Sequence, residues 1–471
     1  MREKSNTSNI AGYWKEFRSK ADIFMKKTQQ HSLKEVNPGG HYTAIWCRDA
    51  SYILKDWFLS GANLDKILER LRLIWSHQIT SEVYEKIIYG RGSPEMNFKS
   101  SIANKDIQRK FEGALPTTIY NYKRTFSEVY GQNPDIDSTA LMISTTSWIL
   151  DVLLRKATNS SIINHKLISS SIRHPNNYSK NLEINRSPSS SSTINAEQKD
   201  ILDCLIPSLK KGIDYLKNRD IDSDALLEQN HNEDWMDTIL RAGKIVYSQA
   251  CWILALKNFA SLLFQVEKGN EANHMIKLAD ESTNAVDQTL WSQEDGCYID
   301  IQESHHVGGP YKTLTQDISL YLVAITEDIH NHENSQTSNR MKQRAQSTLD
   351  AIRNRLWKEN WPLVTEVNLK STGPWLLKPY FYHNHTFWPW TTGLEMMARG
   401  RLGRIEECNI LLSKLASADQ PYPHAFHEWV NPNTRKGDGA YPFRTGISSV
   451  RIAIADIFWR NLPRNNQSRI L

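Results

Sequence analysis

Residues 232–266 have the sequence NEDWMDTILRAGKIVYSQACWILALKNFASLLFQV. The first part is a polar loop in which three acids surround a tryptophan. The second part, from Gly243 to Val266, places apolar residues at helical spacing and predicts a long helix. A helix that follows a loop rich in charged and aromatic side chains is typical of an enzyme, where helices form the scaffold and loops form the pocket.

The same arrangement recurs along the chain. Helical periodicity covers 9–29, 49–77, 137–156, 196–217, 243–266, 270–290, 314–327, 338–356, 388–400, 403–417 and 444–461. Many of these stretches form pairs joined by short polar turns, with Gly61, Gly269 and Gly400 at expected C-caps. Strand-like alternation is scarce. The pattern therefore predicts an all-α protein, which is an irregular bundle, a solenoid or a closed toroid.

One segment differs from the rest. Residues 158–195 are rich in Ser and Asn and poor in aromatic residues, which predicts a disordered or loosely packed insertion. The helical pattern resumes after it, so we expect residues 1–471 to form a single domain. The absence of a regular repeat period argues against a protein-binding solenoid.

Composition narrows the classes of function. The 57 basic and 52 acidic residues are balanced, with a net charge of +5, and form no basic stripe typical of a nucleic-acid partner. No apolar run is long enough for a membrane span. The polar first thirty residues and five scattered cysteines predict a cytoplasmic protein without a disulfide framework or zinc site. The oligomeric state stays open.

The number and the placement of the aromatic residues favour a carbohydrate-binding site. The chain has 15 Trp and 18 Tyr, and many lie beside carboxylates, amides and imidazoles. Sugar rings offer C–H faces that stack on aromatic rings and hydroxyls that hydrogen-bond to polar groups. The alternative is that these rings fill wide helix junctions.

Two segments before predicted helices carry acids. Trp46, Arg48 and Asp49 together could grip a pair of hexose hydroxyls, although Asp49 alone would also suit a helix N-cap. Asp137 opens the predicted helix 137–156 and is again a plausible cap.

The loop quoted first carries the strongest candidate for an acid. Glu233, Asp234 and Asp237 lie within five residues of one another beside Trp235. Mutual repulsion and an aromatic neighbour both raise carboxyl pKa values, as protonation of a glycosidic oxygen requires. The alternative is a solvated acidic loop.

Two later segments complete the set. In Tyr382–Trp390, His385 and Trp388 are candidates for lining a sugar pocket; a His-x-His metal site lacks an obvious third ligand. Glu428 lies between His427 and Trp429 and supplies the second, separate carboxylate that hydrolysis needs, unless it is a surface residue.

These five segments, in this order, resemble the helical-toroid glycoside hydrolases. The likeness is closest to the amylo-α-1,6-glucosidase domain of glycogen-debranching enzymes, and glucoamylases and neutral invertases are more distant. It spans about residues 37–460. The motifs that carry it are Trp46-Cys47-Arg48-Asp49, Asp137-Ser138-Thr139, Trp235-Met236-Asp237 with Gly243-Lys244, Phe387-Trp388-Pro389-Trp390, and Glu428.

The resemblance implies an (α/α)6 toroid, or six-hairpin barrel, with a pocket at one end. It implies that Asp237 is the general acid and Glu428 the general base of an inverting hydrolase that releases a terminal sugar from an α-glucan or small glucoside, with glucose as the expected product. It also implies a set of sugar-binding residues and no metal or cofactor. That set is Trp46, Arg48, Asp49, Asp137, Trp235, Lys244, His385 and Trp388.

Several alternatives stay open. The substrate could be sucrose or a glucosylglycerate-type osmolyte on the same scaffold. The acid could be Glu233 or Asp234. From another class of protein, the chain could be a non-catalytic glycan-binding or scaffold protein, which would tolerate the loss of either carboxylate.

Overall fold

The structure is a computed structural model of the chain. It describes residues 2–81, 86–89, 101–102, 109–121, 125–159, 196–239, 241–302, 311–331, 336–366, 378–418, 424 and 426–460. The predicted insertion at 158–195 lies outside the described residues, apart from its first two, which end a helix.

Twelve α-helices lie in the described ranges. They are α1 (Arg2–Ser32), α2 (Cys47–Leu59), α3 (Leu64–Ser76), α4 (Ile136–Asn159), α5 (Ala196–Lys217), α6 (Val246–Gln265), α7 (Gly269–Thr289), α8 (Ser319–Asn331), α9 (Gln336–Leu356), α10 (Pro389–Arg401), α11 (Ile405–Ser417) and α12 (Arg444–Arg460). A 3₁₀ turn over Gln316–Ile318 leads into α8. None of these helices is long and apolar enough to cross a membrane.

The even-numbered helices form a closed inner ring. Helix α2 packs on α4, α4 on α6, α6 on α8, α8 on α10 and α10 on α12, and α12 packs back on α2. The odd-numbered helices pack outside this ring, each against the inner helix that shares its hairpin or against the neighbouring outer helix. The predicted (α/α)6 toroid is confirmed.

The sequences of the helices explain which ring they join. Outer helix α9 buries one residue per turn, namely Met341, Ala345, Leu349, Ile352 and Leu356, as expected of a helix with one face on the core. Inner helix α10 is instead buried at every position from Pro389 to Gly400. A helix that is covered on all sides needs neighbours on all sides, which the ring provides.

Some predicted helix boundaries were wrong. The predicted stretch 49–77 is two helices. The expected C-cap at Gly61 is confirmed, since Gly61 adopts φ +68° after α2, and the Asn63 side chain accepts a hydrogen bond from the Lys66 N–H to start α3. Gly269 begins α7 rather than ending α6. Gly400 lies inside α10, and Gly403, with φ +77°, follows that helix.

Short strands occupy the loops, where the sequence predicts almost none. In chain order they are β1 (Ile45–Trp46), β2 (Lys86–Tyr89), β3 (Ser101–Ile102), β4 (Thr118–Asn121), β5 (Thr125–Val129), β6 (Glu228–Gln229), β7 (Gly243–Lys244), β8 (Trp291–Ser292), β9 (Cys297–Tyr298), β10 (Asp300–Gln302), β11 (Tyr311–Thr313), β12 (Trp357–Lys358), β13 (Trp361–Pro362), β14 (Trp429–Val430) and β15 (Gly437–Asp438).

These strands form small sheets that fix the loops. A five-stranded sheet has the order β1-β4-β5-β2-β3, with β2 and β5 parallel, and its register pairs Trp46 with Thr118. An antiparallel four-stranded sheet has the order β11-β10-β7-β6. Because Gly243 and Lys244 belong to this second sheet, the helix predicted from Gly243 begins at Val246.

The close approach of α10 and α12 gives a test of the ring. A Cβ on Gly393 would lie 2.8 Å from the Ser449 carbonyl carbon and 2.9 Å from the Val450 nitrogen. We therefore expect Gly393→Ala to lower the free energy of unfolding by about 1–3 kcal/mol through overpacking.

Gly12 in α1 is the matched control, since nothing lies within 4 Å of a Cβ placed there. We expect Gly12→Ala to stabilise the protein by up to about 1 kcal/mol, because alanine has the higher helix propensity. Urea unfolding followed by circular dichroism measures both. Equal effects of the two substitutions would contradict the packing of α10 on α12.

Candidate active site

A cavity of about 590 Å³ lies where the segments preceding five inner helices meet. Its walls come from the residues before or at the start of α2, α4, α6, α10 and α12. The positive ends of helix dipoles favour carboxylates at such a place.

The structure brings seven of the ten predicted site residues into the lining of this cavity. They are Trp46, Arg48, Asp49, Trp235, Asp237, Trp388 and Glu428. Asp137, Lys244 and His385 do not line it.

Glu428 is almost completely buried, with 5% of its surface exposed. The Tyr42 hydroxyl donates to Oε1 at 2.8 Å and the Ala440 N–H donates to Oε2 at 3.0 Å. Gly439, at φ +78°, allows the backbone to pass over this carboxyl group, since a Cβ there would lie 2.8 Å from the Glu428 Cβ. Burial raises the pKa of Glu428 to about 7, and the nearby carboxylates of Asp49 and Asp237 add to the rise.

Asp237 faces the same cavity from the loop before α6. Its Oδ1 has no hydrogen-bond partner among the described residues and lies 3.9 Å from His383 Nδ1. Burial raises the pKa of Asp237 to about 6; Arg48 opposes the rise and Asp234 adds to it. Of the two causes expected from the sequence, desolvation is thus larger than repulsion. Both carboxyl groups can exchange a proton near neutral pH.

The other two acids of this loop are engaged elsewhere. Glu233 is fully buried outside the cavity lining and accepts hydrogen bonds from Arg219 and from the backbone N–H groups of Asn133 and Asn230. Asp234 lines the cavity but pairs with Arg241 at 3.1 Å and accepts from the Met236 N–H at 2.9 Å.

Arg241 is the centre of a buried ionic network. Its guanidinium is 1% exposed and also contacts Asp300 at 3.0 Å and Asp317 at 2.7 Å. The Trp235 indole N–H donates to Asp317 Oδ2 at 2.6 Å. This network fixes the indole that stands beside the candidate acid.

Arg48 and Asp49 form another part of the cavity wall. Arg48 donates to Asp49 Oδ2 at 2.6 Å, and the Thr445 hydroxyl donates to Asp49 Oδ1 at 2.5 Å. The Arg48 guanidinium lies 6.0 Å from the centre of the Trp46 ring. A planar donor group, an aromatic ring and a carboxylate therefore face the cavity together.

Aromatic rings close a third side. Trp235 packs edge-on against Trp388 and Trp390, with ring centres 5.3 and 4.7 Å apart. The Trp388 indole N–H donates to the Tyr382 carbonyl and to Thr386 Oγ1, both at 3.0 Å. Both hydrogen bonds fix the orientation of the ring at the start of α10.

Asp137 lies behind the cavity wall, and Asp135 lines the cavity in its place. Helix α4 begins at Ile136, so Asp137 falls in its first turn, fully buried, where it accepts from the Tyr247 hydroxyl at 3.2 Å. Asp135 accepts from the Thr117 hydroxyl at 3.0 Å. Burial raises the pKa of both aspartates, that of Asp137 to about 7.

Lys244 lies on β7, outside the cavity lining. Its ammonium group is 2.8 Å from Asp222 and also pairs with Asp224 and Glu228. The carboxylates of Asp220, Asp222 and Asp224 lie within 4.8 Å of one another, so Lys244 offsets a local excess of negative charge.

His385 is likewise outside the cavity lining, and His383 is in it. His385 adopts φ +57°, its N–H donates to Thr365 Oγ1 at 2.8 Å, and its Nδ1 is 2.6 Å from the Thr365 carbonyl oxygen. These bonds hold the side chain against residue 365 and leave His383 to face the cavity.

Four further residues line the cavity that the sequence did not indicate as site residues, namely Tyr42, Asp135, Tyr382 and His383. Tyr382 and His383 lie inside the segment Tyr382–Trp390, Asp135 lies two residues before Asp137, and Tyr42 lies four residues before Trp46. Proximity to those motifs was the available signal, but it does not tell which neighbouring side chain faces inward.

No protein-family model matches the sequence, and no curated protein sequence matches it. Solved structures do match. A mannosylglycerate hydrolase of glycoside hydrolase family 63 from Thermus thermophilus, solved with Tris and D-glycerate, is 13% identical with a TM-score of 0.55. The match covers 94% of this chain and 100% of that chain.

Two further structures extend the comparison. A rhamnosidase from Klebsiella oxytoca with rhamnose bound is 12% identical with a TM-score of 0.54, covering 93% of this chain and 63% of that chain. A bacterial glucoamylase complexed with acarbose is 14% identical with a TM-score of 0.50, covering 88% of this chain and 49% of that chain.

The chain has the (α/α)6 toroid fold of these three glycosidases. The predicted resemblance to helical-toroid glycoside hydrolases is thereby confirmed at the level of the fold. Within a six-hairpin fold the activity depends on the residues that line the cavity rather than on the scaffold.

The raised pKa of Glu428 predicts a dependence of stability on pH. An unfolded glutamate loses its proton near its ordinary pKa of 4.5, whereas folded Glu428 keeps it up to about pH 7. The folded state therefore binds more protons in this interval, and stability falls as the pH rises through it. Glu428→Gln removes this term.

We expect the stability of Glu428→Gln relative to the unchanged protein to increase by roughly 1–3 kcal/mol between pH 5 and pH 8. Thermal unfolding at several pH values measures it. Exposed Glu406 provides the control, since Glu406→Gln should leave the pH dependence unchanged. A constant offset for Glu428→Gln across this range would contradict the raised pKa.

Proposed function

We propose that the chain is an inverting glycoside hydrolase. Asp237 protonates the departing glycosidic oxygen, and Glu428 deprotonates the water that attacks the anomeric carbon from the opposite face. The observation that carries the proposal is the pair of carboxyl groups, with pKa values of about 6 and about 7, that face one cavity. The fold shared with three glycosidases supports it.

Asp237 is proposed as the acid in preference to its neighbours for a geometric reason. A general acid must present a carboxyl oxygen to the substrate. Asp237 lines the cavity and has one carboxyl oxygen without a hydrogen-bond partner among the described residues. The carboxyl groups of Glu233 and Asp234 instead accept hydrogen bonds from arginine side chains and backbone N–H groups.

Glu428 suits the role of base. The Tyr42 hydroxyl and the Ala440 N–H each donate to its carboxylate, and both bonds favour the ionised form. They also fix the orientation of the carboxylate relative to the attacking water. In the same proposal Trp46, Arg48, Asp49, Trp235 and Trp388 bind the sugar, through ring faces and through donors and acceptors for its hydroxyls.

The proposed substrate is a neutral glycoside from which a terminal glucose is released, as glucoamylase-like or amylo-α-1,6-glucosidase-like activity would require. Asp49, Asp135, Asp234, Asp237 and Glu428 line the cavity, and among the described lining residues Arg48 is the one cation. This excess of carboxyl groups disfavours an anionic leaving group. We further propose that the chain acts as one catalytic unit and, given five free thiols, that it works in the cytoplasm.

A glycosylglycerate is the second candidate substrate, because the mannosylglycerate hydrolase is matched over its whole length. A hydrolysis screen with maltose, isomaltose, sucrose, trehalose, limit dextrin and glucosylglycerate separates the candidates. Faster hydrolysis of a neutral glycoside than of glucosylglycerate supports the neutral glycoside as substrate. Faster hydrolysis of glucosylglycerate supports the glycosylglycerate. No hydrolysis of any member would favour a glycan-binding protein.

The division of labour between the carboxyl groups is testable by substitution. We expect Asp237→Asn and Glu428→Gln each to lower kcat on a natural glycoside by at least about 100-fold, the lower end of general acid–base contributions. On α-glucosyl fluoride, whose leaving group needs little protonation, Asp237→Asn should recover much of its rate. Glu428→Gln should remain slow, because the water still lacks a base.

The pH profile supplies an independent measurement. The unchanged enzyme needs Asp237 protonated and Glu428 ionised. Because the pKa of Asp237 (about 6) lies below that of Glu428 (about 7), this is the less populated of the two singly protonated forms, and the rate should peak between the two pKa values in a bell-shaped profile. Asp237→Asn acting on the fluoride needs only ionised Glu428, so its rate should rise through about pH 7 and then level off. If α-glucosyl fluoride restores the rate of Glu428→Gln instead, Glu428 is the acid and Asp237 the base. If it restores the rate of Asp234→Asn or Glu233→Gln, that residue is the acid.

A further inference from the structure

His383 has a buried nitrogen that the fold does not use. The residue is 1% exposed and lines the cavity, and its Nε2 has no hydrogen-bond partner among the described residues. An unsatisfied buried polar atom costs about 1–3 kcal/mol, and most such atoms in proteins are paired. A partner supplied by a ligand in the cavity would account for it.

The imidazole is held so that Nε2 cannot turn to another partner. Its other nitrogen, Nδ1, is 2.8 Å from the Thr238 hydroxyl. One face stacks on Trp388, with ring centres 5.0 Å apart and planes 27° apart, and Trp235 packs edge-on at 4.9 Å. Tyr382 packs on the ring as well, with ring centres 4.2 Å apart, so these contacts hold the imidazole in the cavity wall while Nε2 keeps no partner among the described residues.

The ring is neutral. Burial lowers its pKa well below the usual value, and the positive charges of Arg48 and Arg241 lower it further. A neutral imidazole has one donor and one acceptor nitrogen. A sugar hydroxyl both donates and accepts, so it can pair with Nε2 in either tautomer.

The position of the ring places that hydroxyl beside the reacting bond. His383 Nδ1 lies 3.9 Å from Asp237 Oδ1, so the imidazole is a direct neighbour of the proposed acid. When the glycosidic oxygen of a substrate hydrogen-bonds to Asp237, the hydroxyls of the adjoining sugar ring lie close to His383.

We propose that His383 Nε2 hydrogen-bonds one ring hydroxyl of the sugar on which Asp237 and Glu428 act, and so selects the sugar by its configuration at that carbon. This inference rests on the proposed function. His383 is then a binding residue that neither carries a proton in the reaction nor contacts the leaving group.

Calorimetric binding of D-glucose and of its 2-, 3- and 4-deoxy analogues tests the proposal without requiring turnover. We expect one analogue to bind about 10- to 100-fold more weakly than D-glucose to the unchanged protein, because the missing hydroxyl leaves Nε2 unpaired. In His383→Ala the same analogue and D-glucose should bind within about threefold of each other. The remaining analogues should keep the same ratio to D-glucose in both proteins.

Two conservative variants separate hydrogen bonding from shape. The amide of His383→Gln reaches the position of Nε2, whereas that of His383→Asn reaches only the position of Nδ1. We expect Gln to keep more of the discrimination than Asn, and Thr238→Val to weaken it by releasing the ring. Thermal unfolding of each variant confirms that it is folded.

Equal ratios for all analogues in the unchanged protein and in the His383 variants would overturn the inference, as would a failure of the unchanged protein to bind D-glucose. Both outcomes are distinct from a failure of the proposed function, which is measured by hydrolysis. Hydrolysis without His383-dependent discrimination would leave the function standing and remove only this assignment.

Discussion

The guanidinium of Arg241 is the interaction on which the candidate site depends. It is buried among Asp234, Asp300 and Asp317, which come from the loop before α6, from strand β10 and from the turn before α8. Asp300 also accepts a hydrogen bond from the Val246 N–H and so caps α6. Removing one partner of such a network costs about 3–5 kcal/mol, because the others remain charged and buried.

The effect of this network extends to the cavity through one indole. Asp317 accepts from Trp235, and Trp235 contacts Trp388, Trp390 and His383. The aromatic wall is therefore positioned by charge pairing behind it. Two residues beyond Trp235, Asp237 faces the cavity with its orientation set by the same loop.

The fold could be predicted from the sequence to a large extent, because helical periodicity and the order of the motifs both report on long segments. The strands could not be predicted: each is two to five residues long, too short for an alternation of polar and apolar side chains to be recognised. In the stretch 49–77 the sequence marks Gly61 as a C-cap, but the periodicity of the apolar residues does not reveal that Asn63 then starts a second helix.

At the candidate site, four of the five motifs contribute residues to the cavity lining, and the fifth, Asp137-Ser138-Thr139, lies beside Asp135, which does. His383 and His385 differ in exposure to the cavity because Tyr382 and His385 have positive φ, which turns the chain between them. Asp135 and Asp137 differ because α4 starts between them. Lys244 is drawn to the carboxylates of Asp222 and Asp224, whose proximity no local pattern indicates. Direction within a turn depends on backbone conformation, which residue type alone does not specify.

The central claim is that Asp237 and Glu428 act on opposite faces of one sugar, with water between Glu428 and the anomeric carbon. The most direct measurement is the configuration of the sugar released first from α-glucosyl fluoride, followed by proton NMR before mutarotation. The account predicts β-glucose as the first product, since a single displacement by water inverts the anomeric carbon. Initial release of α-glucose would contradict it, because retention requires a covalent intermediate and a nucleophilic carboxylate.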